Sequence, residues 1–297
     1  VRIENFRSAE SAVAPHTGRF ESFQRETMSS NWNRFFAAES KGFIKEHFMT
    51  ALRMPNLPAG PRQFDLHHEI VSGYKIARID VWNSTSRDDD PLNGYWAPQG
   101  GSCLIPRFAQ QSIYVFTPDF SGCAILVDQL SPHAYRVYHV QGSKWHLKNE
   151  YLSPSGRSHG LGLAAAMTFS DYGAACIACK TRCGREQSRG FAFLKFENGR
   201  WWIYAQGQNG VGLGYVGGRY LPTGPQTPSG GVRIPVADLT REVPRAYGTH
   251  DGQALPETTR EVIYGNTPGA LNAGPYTRSA VRRAGIFTRM LPNEDRW

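Results

Sequence analysis

No stretch of this 297-residue chain approaches the roughly 18 consecutive apolar residues that a membrane-spanning helix needs, the richest run being Leu161 to Phe169. Stable membrane insertion is therefore not expected. The opening residues Val1-Arg2-Ile3-Glu4 lack the apolar segment of a secretory leader. Because the chain begins without Met, it is expected to be an excised domain or a processed product of a longer polypeptide. Lysine is scarce, with 7 Lys against 26 Arg, and the net charge of +8 is scattered without a block of like charges. That scatter argues against a dedicated nucleic-acid tail, although a basic surface still favours acidic partners. Cysteine is limited to five, an odd number that suits reduced thiols better than a disulfide framework. Internal repeats and long linkers are absent as well, which leaves no reason to divide the chain.

What is present is globular composition: 40% hydrophobic residues, 31 Gly and 19 Pro. A core of this size needs neither disulfide nor metal for support. The reading is one α+β domain over residues 1–297, a central mixed β-sandwich flanked by helices and long loops. Residues 1–28 are polar and aperiodic, a loosely ordered lead-in. Phe35, Phe36, Phe43, Ile44, His47, Phe48 and Leu52 recur at helical spacing and predict an amphipathic helix near 31–53. Val71 to Asn83 alternates as a strand, and 88–101 reads as a surface loop. Two apolar bursts, Ile113 to Phe116 and Ala124 to Val127, flank a bend containing Pro118 and Gly122. A third, Ala134 to Val140, follows a Ser-Pro turn and predicts an antiparallel pair with the second. Residues 161–182 are Ala- and Leu-rich and read as helical. Asn198-Gly199 between two apolar runs is the strongest hairpin signal, and it assigns Trp201 and Trp202 to a hairpin core. Residues 207–231 are rich in Gly and Pro and read as loop-rich, and 245–297 reads as loop-rich wrapping or tether.

The pair of strands brings Ser121-Gly122-Cys123 to the end of its neighbour that carries His139, 16 residues on. A nucleophilic thiol needs a nearby base and backbone N–H groups for an oxyanion. Gly before Cys at a strand start permits the backbone angles that expose such groups. Taken alone, the same residues also suit a buried small hydrophobe and a satisfied core histidine. His133, ten residues from Cys123, is the alternative base, and Cys103 after Gly100-Gly101-Ser102 is the rival nucleophile.

The run Asp119-Phe-Ser-Gly-Cys-Ala-Ile-Leu-Val127, followed by Tyr135-Arg-Val-Tyr-His-Val-Gln-Gly142, resembles the catalytic core of the cytotoxic necrotizing factor toxins, the Rho-activating glutamine deamidases. The related Burkholderia lethal factor carries the same kind of Ser-Gly-Cys and His pair. Here Phe120 stands where that family usually has Leu, and the Cys-to-His spacing is one residue longer. Ala77-Arg-Ile-Asp-Val-Trp-Asn-Ser84 is similar to a family segment whose Val carbonyl orients the catalytic His. The resemblance implies a Cys123 nucleophile, a His139 base and Val81 as orienter, with Ser121, Gly122 and Asn83 around substrate and oxyanion. It further implies a toxin domain that is secreted or translocated into the host cell cytosol. There it would act as a monomer on a host protein, a Rho-type small GTPase first, needing no cofactor, no metal and no nucleic acid.

Other constellations point elsewhere. A cysteine protease or transglutaminase would use the same thiol and histidine. Cys176-x-x-Cys179-x-x-x-Cys183 offers three thiolates, with His159 or His146 as a fourth ligand, for a non-enzymatic zinc or nucleic-acid binding module. The second Cys-x-x-Cys pair of a zinc ribbon is missing. His67-His68-Glu69 reads as surface or loop, since neighbouring strand side chains face opposite ways. Gly212-x-Gly214-x-x-Gly217 matches a dinucleotide fingerprint in letters only, following no strand and opening no amphipathic helix.

Overall fold

The computed structural model describes residues 29–51, 57–71, 73–83, 90–109, 113–142, 144–152, 158–172, 189–209, 213–216, 219–222, 227–241 and 260–265. The lead-in 1–28, the thiols Cys176, Cys179 and Cys183, and most of 245–297 lie outside them.

The helical periodicity near 31–53 resolves into three elements. Helix α1 (Ser29–Ala38) and helix α2 (Ser40–Glu46) meet at Glu39, whose non-helical backbone interrupts them while its carboxylate accepts from Gly42 N–H as the cap of α2. Beyond His47 the chain enters strand β1 (Phe48–Thr50), buried at all three positions. A short run buried on both sides suits a parallel strand better than an amphipathic helix, and β1 does pair in parallel.

Strand predominates. The longest sheet has nine strands in the order β1, β3 (Tyr74–Val81), β2 (Gly60–Val71), β4 (Leu92–Trp96), β6 (Tyr114–Phe116), β10 (Arg189–Glu197), β11 (Arg200–Asn209), β14 (Thr227–Pro235), β15 (Glu261–Gly265). It is mixed, with β1/β3 and β4/β6 parallel and the other pairs antiparallel. A four-stranded antiparallel sheet runs β5 (Ser102–Pro106), β8 (Ala134–Val140), β7 (Ala124–Ser131), β9 (Gly162–Met167). Strands β12 (Leu213–Val216) and β13 (Arg219–Pro222) form a separate hairpin.

Alternation along the central strands sorts the core. Phe191, Phe193, Trp202, Tyr204, Tyr114 and Phe116 join Phe36, Phe43 and Ile44 of the helices in one apolar cluster. Their neighbours Ala192, Leu194, Ile203, Ala205 and Val115 join Cys123, Ile125, Val127 and Val137 of the smaller sheet in another. Period-2 alternation thus sends one face of the large sheet to the helices and the other to the four-stranded sheet. Lys195 is the polar pin on the helix side. Its ammonium, 5% exposed, donates to the Ala37 carbonyl at 2.7 Å and Ser40 Oγ at 3.1 Å, satisfying the C-terminal end of α1. Burial draws the Lys195 pKa down, opposed by the Glu197 charge.

The β6, β7 and β8 bursts and the Asn198-Gly199 hairpin fall where the sequence puts them, with φ of 52° and 78° at the two turn residues. Four readings need correction. The Ala-rich segment expected as helix is β9 over 162–167, because pairing with β7 overrides helical preference; Phe169–Tyr172 is helical (α4), and 173–182 lie outside the described residues. The 88–101 loop contains β4, and 207–231 contains the first half of β14. His67, His68 and Glu69 belong to β2, partly buried and paired with Arg78, Ala77 and Ile76.

Candidate active site

Cys123 precedes β7, and His139 lies near the end of β8. The antiparallel register sets Ile125 opposite His139 and Ala124 opposite Val140. Cys123 stands two residues before Ile125 and belongs to the same apolar cluster, so the register brings its end of the hairpin beside that of His139. Cys123 is 3% exposed and His139 1%. The exposed Ser121 and the half-buried Gln141 and Gly142 are the nearest edge of the site.

The ring of His139 is fixed on three sides. Phe120 stacks on it at 4.4 Å between centroids with planes 3° apart, and Phe120 itself is tied by reciprocal backbone bonds to Gly190. Thr117 Oγ1 bonds to Nδ1. The backbone is clasped from the β4–β5 connection, His139 N–H donating to Gly101 O at 3.0 Å and Gly100 N–H to His139 O at 2.9 Å. Nε2 is buried with no partner among the described residues. An unpaired ring nitrogen held in place is the form a general base takes before its substrate arrives. Burial pulls the His139 pKa down to about 3, so the imidazole is neutral at pH 7.

Burial pushes the Cys123 thiol up, but the backbone N–H groups of Ser121 and Gly142 act against it by hydrogen bonding to sulfur. Gly122 has φ +97°, which suits glycine, and this turn brings the Ser121 amide round to the thiol. Gly142 is required by close approach, since a Cβ there would stand 2.5 Å from the Gly122 carbonyl oxygen. The turn is locked by Tyr172 of α4, whose hydroxyl accepts from Gly122 N–H at 3.0 Å and donates to the Cys123 carbonyl at 2.7 Å. The Gly122 amide is thus occupied, and the N–H groups facing the sulfur are those of Ser121 and Gly142. Cys103 offers a contrast. Burial lifts its thiol to about 12, with no compensating hydrogen bond, so it stays protonated and inert.

No family model matches the chain, and no curated protein does either.

Val81 and Asn83 stand apart from this site. Val81 ends β3 opposite Phe64 and packs on the helix-side cluster, and Asn83 follows it, exposed. The orienting contact on the imidazole comes from Thr117, just after β6. His133 sits at the turn between β7 and β8, exposed, the length of the hairpin or roughly 25 Å from Cys123. Sequence reasoning missed Thr117 and Tyr172. Thr117 had a signal: it is the first polar residue after the Ile113 to Phe116 burst, at the point where the strand hands over to the bend. Tyr172 had none, since its role arises from α4 crossing the Gly122–Cys123 turn. Among the described residues, no group of three or more His, Cys, Asp or Glu is placed to hold a metal ion.

Proposed function

We propose that this chain is a toxin catalytic domain that deamidates a glutamine side chain of a host protein, a Rho-family small GTPase first, by thiol catalysis. In this reading the two sheets form the α+β sandwich expected from sequence, and the domain works as a monomer in the host cytosol after secretion or translocation. The observation that carries it is the convergence of Cys123, its N–H cradle and an unpaired, Thr117-held imidazole on one sheet face.

The mechanism follows from proton bookkeeping. With Nδ1–H donating to Thr117 Oγ1, Nε2 holds the lone pair and takes the thiol proton when Cys123 rotates toward it. The thiolate pair forms a bond to the amide carbon while the C=O π pair moves onto oxygen, which the Gly142 and Ser121 amides receive as they leave the sulfur. The imidazolium returns its proton to the departing nitrogen as ammonia leaves, giving a thioester. Water, deprotonated by the same Nε2, adds to the thioester and expels the thiolate, leaving glutamate. Burial keeps the imidazole neutral until the thiol proton arrives, and the cradle holds the charge that develops. A closed site with a thiol 3% exposed suits a slender side-chain amide better than a peptide backbone, which disfavours proteolysis.

The test is intact and peptide mass spectrometry of Rho-family GTPases incubated with the wild-type chain or with Cys123→Ser. Deamidation adds about one dalton to one glutamine peptide and disappears in the variant. A shift that survives Cys123→Ser, or no shift on any GTPase, would overturn the assignment.

A further inference from the structure

We propose that Glu150 is a positioning residue of the thiol site: its carboxylate fixes the Gln141–Gly142 backbone so that the Gly142 N–H points at the Cys123 sulfur. The proposal rests on Cys123 being the nucleophile.

Strand β8 stops at Val140, and the two residues that follow lose the ladder that would hold their amides in place. Gln141 N–H finds its acceptor nine residues on, in Glu150 Oε2 at 2.8 Å. Glu150 lies in a π-helical turn (Leu147–Leu152) that follows the short helix α3 (Lys144–His146). Wide turns of this kind are frequent at functional sites. The other carboxylate oxygen meets His146 Nδ1 at 2.5 Å, so the side chain is held from both ends. Gly100, which also clasps His139, lies against the same carboxylate: a Cβ there would be 3.2 Å from Glu150 Oε1 and 3.4 Å from Gln141 Nε2. Glu150 therefore bonds the backbone that leads into Gly142 and lies beside the Gly100 backbone that clasps His139.

Its charge works against the thiolate, raising the thiol. What Glu150 contributes to reactivity must come through what it bonds. The titratable groups around the thiol are His139, Tyr172 and Glu150, with His146 behind Glu150.

Two substitutions separate charge from reach, read on the full chain as the rate of iodoacetamide labelling of the Cys123 peptide across pH. Glu150→Asp keeps the charge but withdraws the acceptor by one methylene. Labelling at pH 7 is expected to slow by roughly tenfold as the Gly142 amide drifts from sulfur. Glu150→Gln keeps an acceptor oxygen at full reach without the charge, and labelling should be as fast as wild type or faster. Wild-type labelling in Glu150→Asp, or equal slowing in both variants, overturns the proposal. Should Glu150→Asp fail to fold, amide-proton exchange of Gln141 and Gly142 in Glu150→Gln decides: kept protection supports it and lost protection overturns it. No substrate enters these measurements, so a chain that deamidates nothing but labels in this pattern refutes the function and not the positioning.

Discussion

His139 presents two ring nitrogens with opposite fates, one bonded to Thr117 and one buried without a partner among the described residues. A neutral imidazole is free to choose its tautomer, and only the form with hydrogen on Nδ1 leaves Nε2 able to accept the thiol proton. In the proposed mechanism the Thr117 hydroxyl accepts from Nδ1–H and so holds that form. Thr117→Val keeps the branched shape and removes the acceptor, so the ring loses its preferred tautomer. The expected result is a fall in kcat of about 10- to 100-fold with KM little changed, and Thr117→Ser should recover most of it. Ammonia release measured on both variants checks this, and a Thr117→Val chain with wild-type turnover would show that the contact orients nothing. Phe120 contributes in another way. Its face-on stacking excludes water from one side of the imidazole, which is why burial alone dominates the shift of that group. At this scale the sequence was informative about which strand ends meet, because a Cys and a His at the ends of adjacent apolar bursts come together whenever those bursts form a hairpin. It was silent on the ring's orienter. The segment resembling the toxin family's Val element folds into another sheet, and the side chain that reaches Nδ1 comes from the bend after β6.

The turn at Cys123 is an element built from three separate pieces of chain. Ser121 to Cys123 supplies the turn, Gly142 packs against its backbone, and Tyr172 closes it from α4 with a single hydroxyl bridging an amide and a carbonyl. Tyr172 is in turn supported by its neighbour Asp171, fully buried, which accepts from Thr168 N–H and pairs with Arg260. Tyr172→Phe leaves the ring packing and strands one buried donor and one buried acceptor. The chain should be destabilised by about 1–3 kcal/mol in urea denaturation, and Cys123 labelling should change because the turn relaxes. A Tyr172→Phe chain as stable as wild type would mean that water replaces the hydroxyl and that the turn holds itself. Elements whose signals are local, such as the Asn198-Gly199 hairpin or β6 to β8, were legible from sequence. Elements whose identity depends on a distant partner were not. Strand β9 carries a helix-like Ala run and becomes a strand only because β7 offers it an edge, and β1 continues a helical period until β3 pairs with it.

Across the whole molecule, two buried histidines sit in different layers and share one property. His47, between the helices and the large sheet, is pulled down to about 4 by burial, and His139, between the sheets, to about 3. Each folded-state value lies below the usual histidine value near 6.5, so between those limits the unfolded chain binds more protons than the folded one. Their contribution to stability is complete above about pH 6.5 and is lost progressively as pH falls toward 4 and then 3. The carboxylates do not all act in the same sense. Asp238, held down by its bonds to Thr240 and Gln129 and by the Arg107 charge, also loses its contribution in acid. Asp119, pushed up by burial, gains instead. The histidine share is isolated by comparing wild type with a His47→Gln, His139→Gln double variant. At pH 7 the double variant should melt lower, because two packed rings and their bonds to Phe43 and Thr117 are gone. As pH falls from 7 to 4 the difference should shrink, since wild type alone must bury groups that water would rather protonate. Thermal melts at each pH read this directly. A difference that stays constant over that range would mean that both imidazoles find a partner for the added proton inside the fold, and that neither layer is as dry as its packing indicates.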